Sequence, residues 1–212
     1  LFQIFLDKMS PSYFLLVCLL LPLLSLSEVP SSTSTPSCSY NHTILRCRWL
    51  NTTADILDTN TDIAQSVIRV EISDSRVACL EWRHFSRFQN LQEIELTNSE
   101  LKQVMCGGHK VRHKKAVHHL RYLRYLNLSS NALSDLDDRI TVLHHLEMID
   151  LSNNNLRQIK CDFSNFKRLK YLDISNNNLS TLEPLPPSIS YLSLSGNPWS
   201  CSPTLSWLYP WS

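Results

Sequence analysis

Three stretches of this 212-residue chain share one spelling: LRYLNLSSNAL from Leu123, LEMIDLSNNNL from Leu146 and LKYLDISNNNL from Leu169, spaced 23 residues apart. Each fits L-x-x-L-x-L-x-x-N-x-L. ISYLSLSGNPW from Ile189 is a fourth copy that ends in Trp199. VIRVEISDSRV from Val67 and LQEIELTNSEL from Leu91 are degenerate copies, with Ser75 and Ser99 in the asparagine position. Phe88, Leu120, Leu143 and Phe166 add an apolar residue three positions ahead of their repeats. A unit of this size cannot bury its apolar face alone; it must stack on the next copy, so that one continuous core runs through the array.

The pattern resembles the leucine-rich repeat, and the resemblance covers Val67 to Trp199. It implies an α/β-type solenoid, a horseshoe of about six repeats starting near 67, 91, 123, 146, 169 and 189. A short parallel sheet lines its concave side, the convex side is mostly irregular, and cysteine-containing caps close the ends. Each repeat supplies a strand such as Tyr171-Leu172-Asp173 with its leucines inward. At about 4.8 Å per strand, six copies make a face roughly 25 Å long. Asn131, Asn154, Asn177 and Asn197 fall at the ninth position, where the amide is expected to satisfy backbone groups in its own and the neighbouring turn. Asn176 is expected to face outward at the strand's end.

The caps follow from the same resemblance. Cys38 to Cys47 (CSYNHTILRC), with the polar segment continuing to Ser66, resembles an N-terminal cysteine cap over 38–66, with Cys38 and Cys47 as disulfide cysteines. GNPWSC from Gly196 resembles the start of a C-terminal cap, short or truncated over 200–212, with Trp207, Leu208 and Trp211 as covering residues. Stacking puts Cys79 and Cys106 in adjacent turns at nearby repeat positions, within reach of a bridge. Cys161 is two turns from both Cys106 and Cys201, about 10 Å by strand spacing. It is either a buried small apolar side chain or the link of a disulfide-bonded dimer.

Other features point to export. Residues 9–27 read as a signal peptide: Met9 as initiator, the apolar run Tyr13–Leu26, and small residues Ser25 and Ser27 before the cleavage point. Residues 1–8 read as sequence ahead of the initiator and 28–37 as a linker. Asn41, Asn51, Asn127 and Asn178 each head an N-x-S/T sequon. Cys38, Cys47, Cys79, Cys106, Cys161 and Cys201 remain after the leader, an even number suited to an oxidising compartment. No second apolar stretch approaches the roughly 20 residues of a membrane span. The expectation is a secreted, extracellular glycoprotein without a membrane span.

Between the leucines, alternate residues of each strand face solvent. The third repeat position reads Arg69, Glu93, Tyr125, Met148, Tyr171, Tyr191; the fifth reads Glu71, Glu95, Asn127, Asp150, Asp173, Ser193. Tyr125, Met148, Tyr171 and Tyr191 beside Asp150 and Asp173 have the composition of a protein-binding patch. Tyrosines on adjacent strands also stabilise a sheet by packing alone, and a glycan on Asn127 would stand over the middle of the face.

A second candidate lies where the period breaks. The repeat from Leu91 runs on to Leu123, and the excess falls in MCGGHKVRHKKAVHHL, a basic insertion at about 105–119. Lys110, Arg112, Lys114 and Lys115, joined by His109, His113, His118 and His119 below about pH 6.5, suit a sulfated glycan or another polyanion. The alternative is a solvated loop whose charges keep it off the core.

Catalysis finds no support: G-x-S-x-G and H-E-x-x-H are absent, and three glycines leave no phosphate loop. A net charge of +1 gives no general pull toward nucleic acid. Without C-x-x-C pairs, and with histidines on no fixed element, no metal or cofactor is expected. The leader, the few repeats and the single-cysteine N-P-W-x-C ending are similar to the secreted leucine-rich-repeat proteins of insect innate immunity, of the mosquito type, or to a fragment of a Toll-type receptor ectodomain. A small leucine-rich proteoglycan is a third resemblance, lacking here its N-terminal four-cysteine cluster. These resemblances imply a non-enzymatic recognition module for an extracellular protein or microbial ligand, alone or as a dimer. The alternative is a matrix or adhesion protein held to anionic glycan by the basic insertion.

Overall fold

The computed structural model describes residues 35–58, 63–104, 118–136, 138–200 and 205–207. Residues 1–34, with the stretch read as a signal peptide, Cys106, the insertion residues Lys110, Arg112, Lys114 and Lys115, and Cys201, Leu208 and Trp211 lie outside them.

The leucine spacing builds the expected solenoid. Among the described residues one sheet contains eight strands: β1 (Ser37–Asn41), β2 (Ile44–Arg48), β3 (Arg69–Ser73), β5 (Glu93–Thr97), β7 (Tyr125–Asn127), β9 (Met148–Asp150), β11 (Tyr171–Asp173) and β12 (Tyr191–Ser193), adjacent in that order. All pairings are parallel except β1 with β2. The convex return path carries short pairs, β4 (Cys79–Leu80) with β6 (Gln103–Val104) and β8 (Asp135–Leu136) with β10 (Gln158–Ile159), plus single 3₁₀ turns such as Phe163–Asn165. No helix among the described residues is long and apolar enough to cross a membrane.

The first, fourth, sixth and eleventh positions form the core. Leu123, Leu126, Leu128 and Leu133, with their counterparts from Leu146 and Leu169, have no solvent exposure. The added apolar residues Phe88, Leu120, Leu143 and Phe166 are buried with them. Excess residues between Leu91 and Leu123 leave the strand ladder undisturbed: Glu93 pairs directly with Tyr125.

The ninth-position asparagines join the turns. Asn154 is 9% exposed; its Oδ1 accepts the Leu133 N–H at 3.0 Å, and its Nδ2 donates to the carbonyls of Leu128, Leu151 and Ser152. Asn177 repeats this with the Leu156 N–H and the carbonyls of Leu151, Ile174 and Ser175, and Asn197 with the Leu179 N–H. Asn131 accepts two N–H groups, from Ser99 and Leu101. Ser75 keeps only part of this, accepting the Leu50 N–H while donating to Ser73 O.

The eighth position has a different job. Asp74, Asn98, Ser130, Asn153, Asn176 and Gly196 all have positive φ, between 48° and 69°. There the chain turns out of the strand, and short side chains that bond locally, or none, tolerate the left-handed conformation best. Gly196 is further constrained: a Cβ there would stand 2.2 Å from Asn176 Oδ1 and 3.2 Å from its Cα.

The sheet also begins earlier than the sequence repeats suggest. β2, inside the segment expected as an N-terminal cap, pairs in parallel with β3, placing Leu45 opposite Val70 and Cys47 opposite Ile72. Trp49, one residue past β2, takes the eighth-position conformation with φ of 58°. Cys38 and Cys47 form a disulfide between directly paired residues of the β1–β2 hairpin. Cys79 is disulfide-bonded, with Cys106 outside the described residues, and Cys161 is buried. Beyond the last strand, Trp207 donates its indole N–H to Leu182 O, and Leu205 packs with it on the core.

Candidate functional site

Strand register assembles the concave rows. Arg69, Glu93, Tyr125, Met148, Tyr171 and Tyr191 stand opposite one another on successive strands, and so do Glu71, Glu95, Asn127, Asp150, Asp173 and Ser193. The six candidate residues Tyr125, Met148, Asp150, Tyr171, Asp173 and Tyr191 thus share one surface. β2 adds Ile44 and Arg46 at the head of the two rows.

The aromatic end is exposed and ordered by stacking. Tyr125 is 39% and Tyr191 48% exposed, while Tyr171 and Met148 are partly covered. The rings of Tyr171 and Tyr191 stack with centroids 4.2 Å apart and planes 2° from parallel. Burial, the neighbouring Tyr191 hydroxyl and the nearby carboxylates of Asp173 and Asp150 push the Tyr171 phenol up to about 12.

Charge is distributed unevenly along the face. At the β3–β5 end, Arg69 reaches Glu95 at 2.7 Å, Glu71 at 2.9 Å and Glu93 at 3.2 Å, and Arg46 meets Glu71 at 2.7 Å. Arg69 Nε is close enough to Glu71 for an ion pair but is not aligned as a hydrogen bond. Burial opposes the Arg69 charge, but the hydrogen bond and charge of Glu95, with the charges of Glu71 and Glu93, outweigh it and raise the pKa. The acids expected as an open row are therefore neutralised here by a cluster that sequence reading missed. Its signal was Arg69 standing where the later strands carry Tyr or Met.

At the other end Asp150 and Asp173 have no basic partner among the described residues; Arg124 and Lys170 pair instead with Glu147 on the flanking row. Each aspartate has a local task. Asp150 Oδ1 accepts the Ser152 N–H and Asp173 Oδ1 the Ser175 N–H, both at 2.9 Å, and Asn127 does the same for Ser129. The fifth-position side chain thus holds the turn leaving the strand, and the second carboxylate oxygen of each aspartate takes no hydrogen bond from the described residues.

Asn41, Asn51 and Asn178 are exposed, while Asn127 is half-buried in the carboxylate row. The polyanion candidates Lys110, Arg112, Lys114 and Lys115 lie outside the described residues. No group of three or more His, Cys, Asp or Glu side chains that could hold a metal ion occurs among the described residues. Sequence reading also missed an open depression of about 430 Å³ on the flank, lined by Thr43, Gln65, Ser66, Ile68, Asn90, Gln92 and Tyr122.

Profiles of the leucine rich repeat match residues 103–156 and 121–179, and a second leucine rich repeat profile matches 168–192. The fold is that of leucine-rich repeats. Similar solved structures include a TLR13–ssRNA13 complex, at 22% identity and a TM-score of 0.62 over 76% of this chain and 23% of that one. The leucine-rich repeat domain of APL1B, at 19% identity and TM-score 0.51, matches over 72% of this chain and 54% of its own. Internalin C2 from Listeria monocytogenes has 19% identity and TM-score 0.51, over 70% of this chain and 61% of its own. The chain thus spans less than two thirds of each, and identities this low carry the fold alone. A search of curated proteins by sequence found no match.

Proposed function

We propose that this chain is a secreted, non-enzymatic recognition module that binds a protein or microbial-surface ligand through the concave face of β7, β9, β11 and β12. The observation that carries this reading is the solvent-facing row of Tyr125, Met148, Tyr171 and Tyr191, placed on a sheet whose backbone is fixed by its neighbours. Large side chains with few rotatable bonds give up little entropy on contact, and a rigid sheet presents them preorganised. The repeat fold shared with TLR13 and APL1B is compatible with innate immune recognition, which is the setting proposed here. The leader-like run, the sequons and the disulfide-bonded cysteines favour secretion.

Affinity capture from native extracellular fluid tests the reading. Wild-type protein is expected to retain a partner that the Tyr125→Ala/Tyr171→Ala/Tyr191→Ala variant loses while keeping its circular dichroism spectrum. Equal capture by a folded triple variant would remove the concave face from consideration.

A further inference from the structure

Resting on the concave-face reading, we infer that the aromatic end of the sheet receives an extended segment of a partner protein that carries arginine or lysine, its cationic side chain seated between the tyrosines and the carboxylates of Asp150 and Asp173. The exposed aromatic and thioether row defines the docking surface, and the charges around it decide which side chain fits. Two contrasts within the sheet support this choice. Glu71, Glu93 and Glu95 are all engaged by Arg69 or Arg46, so the β3–β5 end presents charge already compensated. Asp150 and Asp173, directly opposed on β9 and β11, have no cation of this chain against them among the described residues.

The two aspartates are also positioned in advance. Each has one oxygen tied to a backbone N–H two residues on, which fixes the direction of the other. A guanidinium arriving there meets carboxylate acceptors on adjacent strands about 4.8 Å apart. Tyr171 and Tyr191 stand on the parallel row beside them, and aromatic faces attract cations. An anionic partner meets uncompensated like charge at the same place, which selects against acidic segments and nucleic-acid phosphate.

The test uses the full chain with three 12-residue synthetic peptides that share one backbone sequence and carry arginine, glutamine or glutamate at alternate positions. The arginine peptide is expected to bind with a dissociation constant below about 1 mM and at least about tenfold more tightly than the glutamine peptide. Binding should weaken as ionic strength rises from about 0.05 to about 0.5 M. Asp150→Asn/Asp173→Asn is expected to abolish the preference for arginine without unfolding the chain, because Asn127 performs the same turn-holding bond with an amide. No binding of the arginine peptide, equal binding of the glutamine peptide, or full binding by the double variant would overturn the inference. If the natural partner is lost by the tyrosine variant but kept by the aspartate variant, the concave face stands and the cationic segment falls. Retention by both variants refutes the two together.

Discussion

Asn153, Asn154 and Asn155 are chemically identical and consecutive, yet the structure assigns them three different costs on replacement by alanine. Asn154→Ala leaves the buried Leu133 N–H without its acceptor. The three carbonyls it served each keep another donor: Leu128 O from Asn131, Leu151 O from Asn177 and Ser152 O from the Ser130 N–H. One orphaned buried donor costs about 1–3 kcal/mol, and the weakened carbonyl bonds add roughly 1 kcal/mol, so the expected loss is about 2–4 kcal/mol. Asn153 holds a φ of 55° that alanine adopts at a cost of about 1 kcal/mol, which Asn153→Gly recovers. Asn155 is exposed, and its replacement should change stability by less than about 0.5 kcal/mol. Thermal and urea denaturation followed by circular dichroism read all four variants; the Asn154→Ala loss corresponds to a Tm drop of roughly 5–15 °C. Equal losses at positions 153, 154 and 155, or a loss below about 0.5 kcal/mol at Asn154, would refute the assignment of the ninth position as the bond between turns.

Gly196→Ala combines a positive φ with a collision against Asn176 and should cost about 1–3 kcal/mol in the same assay; Asn176→Gly in the same chain relieves the side-chain part of it. Arg69→Met strips Glu71, Glu93 and Glu95 of their shared partner and should destabilise by about 1–2 kcal/mol, the loss shrinking in about 1 M salt as carboxylate repulsion is screened. The Tyr171 phenol holds its proton more tightly folded than unfolded, so its contribution to stability is complete below about pH 10 and is lost as pH rises through about 12. Ultraviolet titration of wild type minus Tyr171→Phe should show that late component, and a difference curve centred near pH 10 would contradict it.

Residue spacing made the core legible because a period-two apolar pair in a fixed 23-residue frame leaves few ways to bury leucine. Leu123 to Leu179 therefore lie where the spelling placed them. β2 was not legible as a sheet strand for the same reason. At the offset that pairs Leu45 with Val70, His42 takes the first position and Leu50 the ninth, so only Leu45 and Cys47 keep the pattern. The concave rows were readable residue by residue, since side chains alternate along any strand. Their electrostatics were not: whether Glu95 is open or engaged depends on Arg69, 26 residues away, reaching across a strand gap. The double duty of Asp150 and Asp173 was hidden as well, because a carboxylate that holds a turn and one that waits for a partner look alike in sequence. Asn154 and Asn177 differ: their task recurs at one position in four successive turns, with Asn131 and Asn197, and recurrence exposes a structural role.

Hydroxyl-radical footprinting of the chain with and without its captured partner tests the central claim most directly, because the residues it reads best are those in question. Tyr125, Met148 and Tyr191 should become protected on binding, while Tyr40, Trp49 and Tyr122, exposed away from the aromatic row, should react as they do in the free chain. Protection of Tyr40, Trp49 or Tyr122 with unchanged oxidation of Tyr125, Met148 and Tyr191 would place recognition elsewhere and contradict the account.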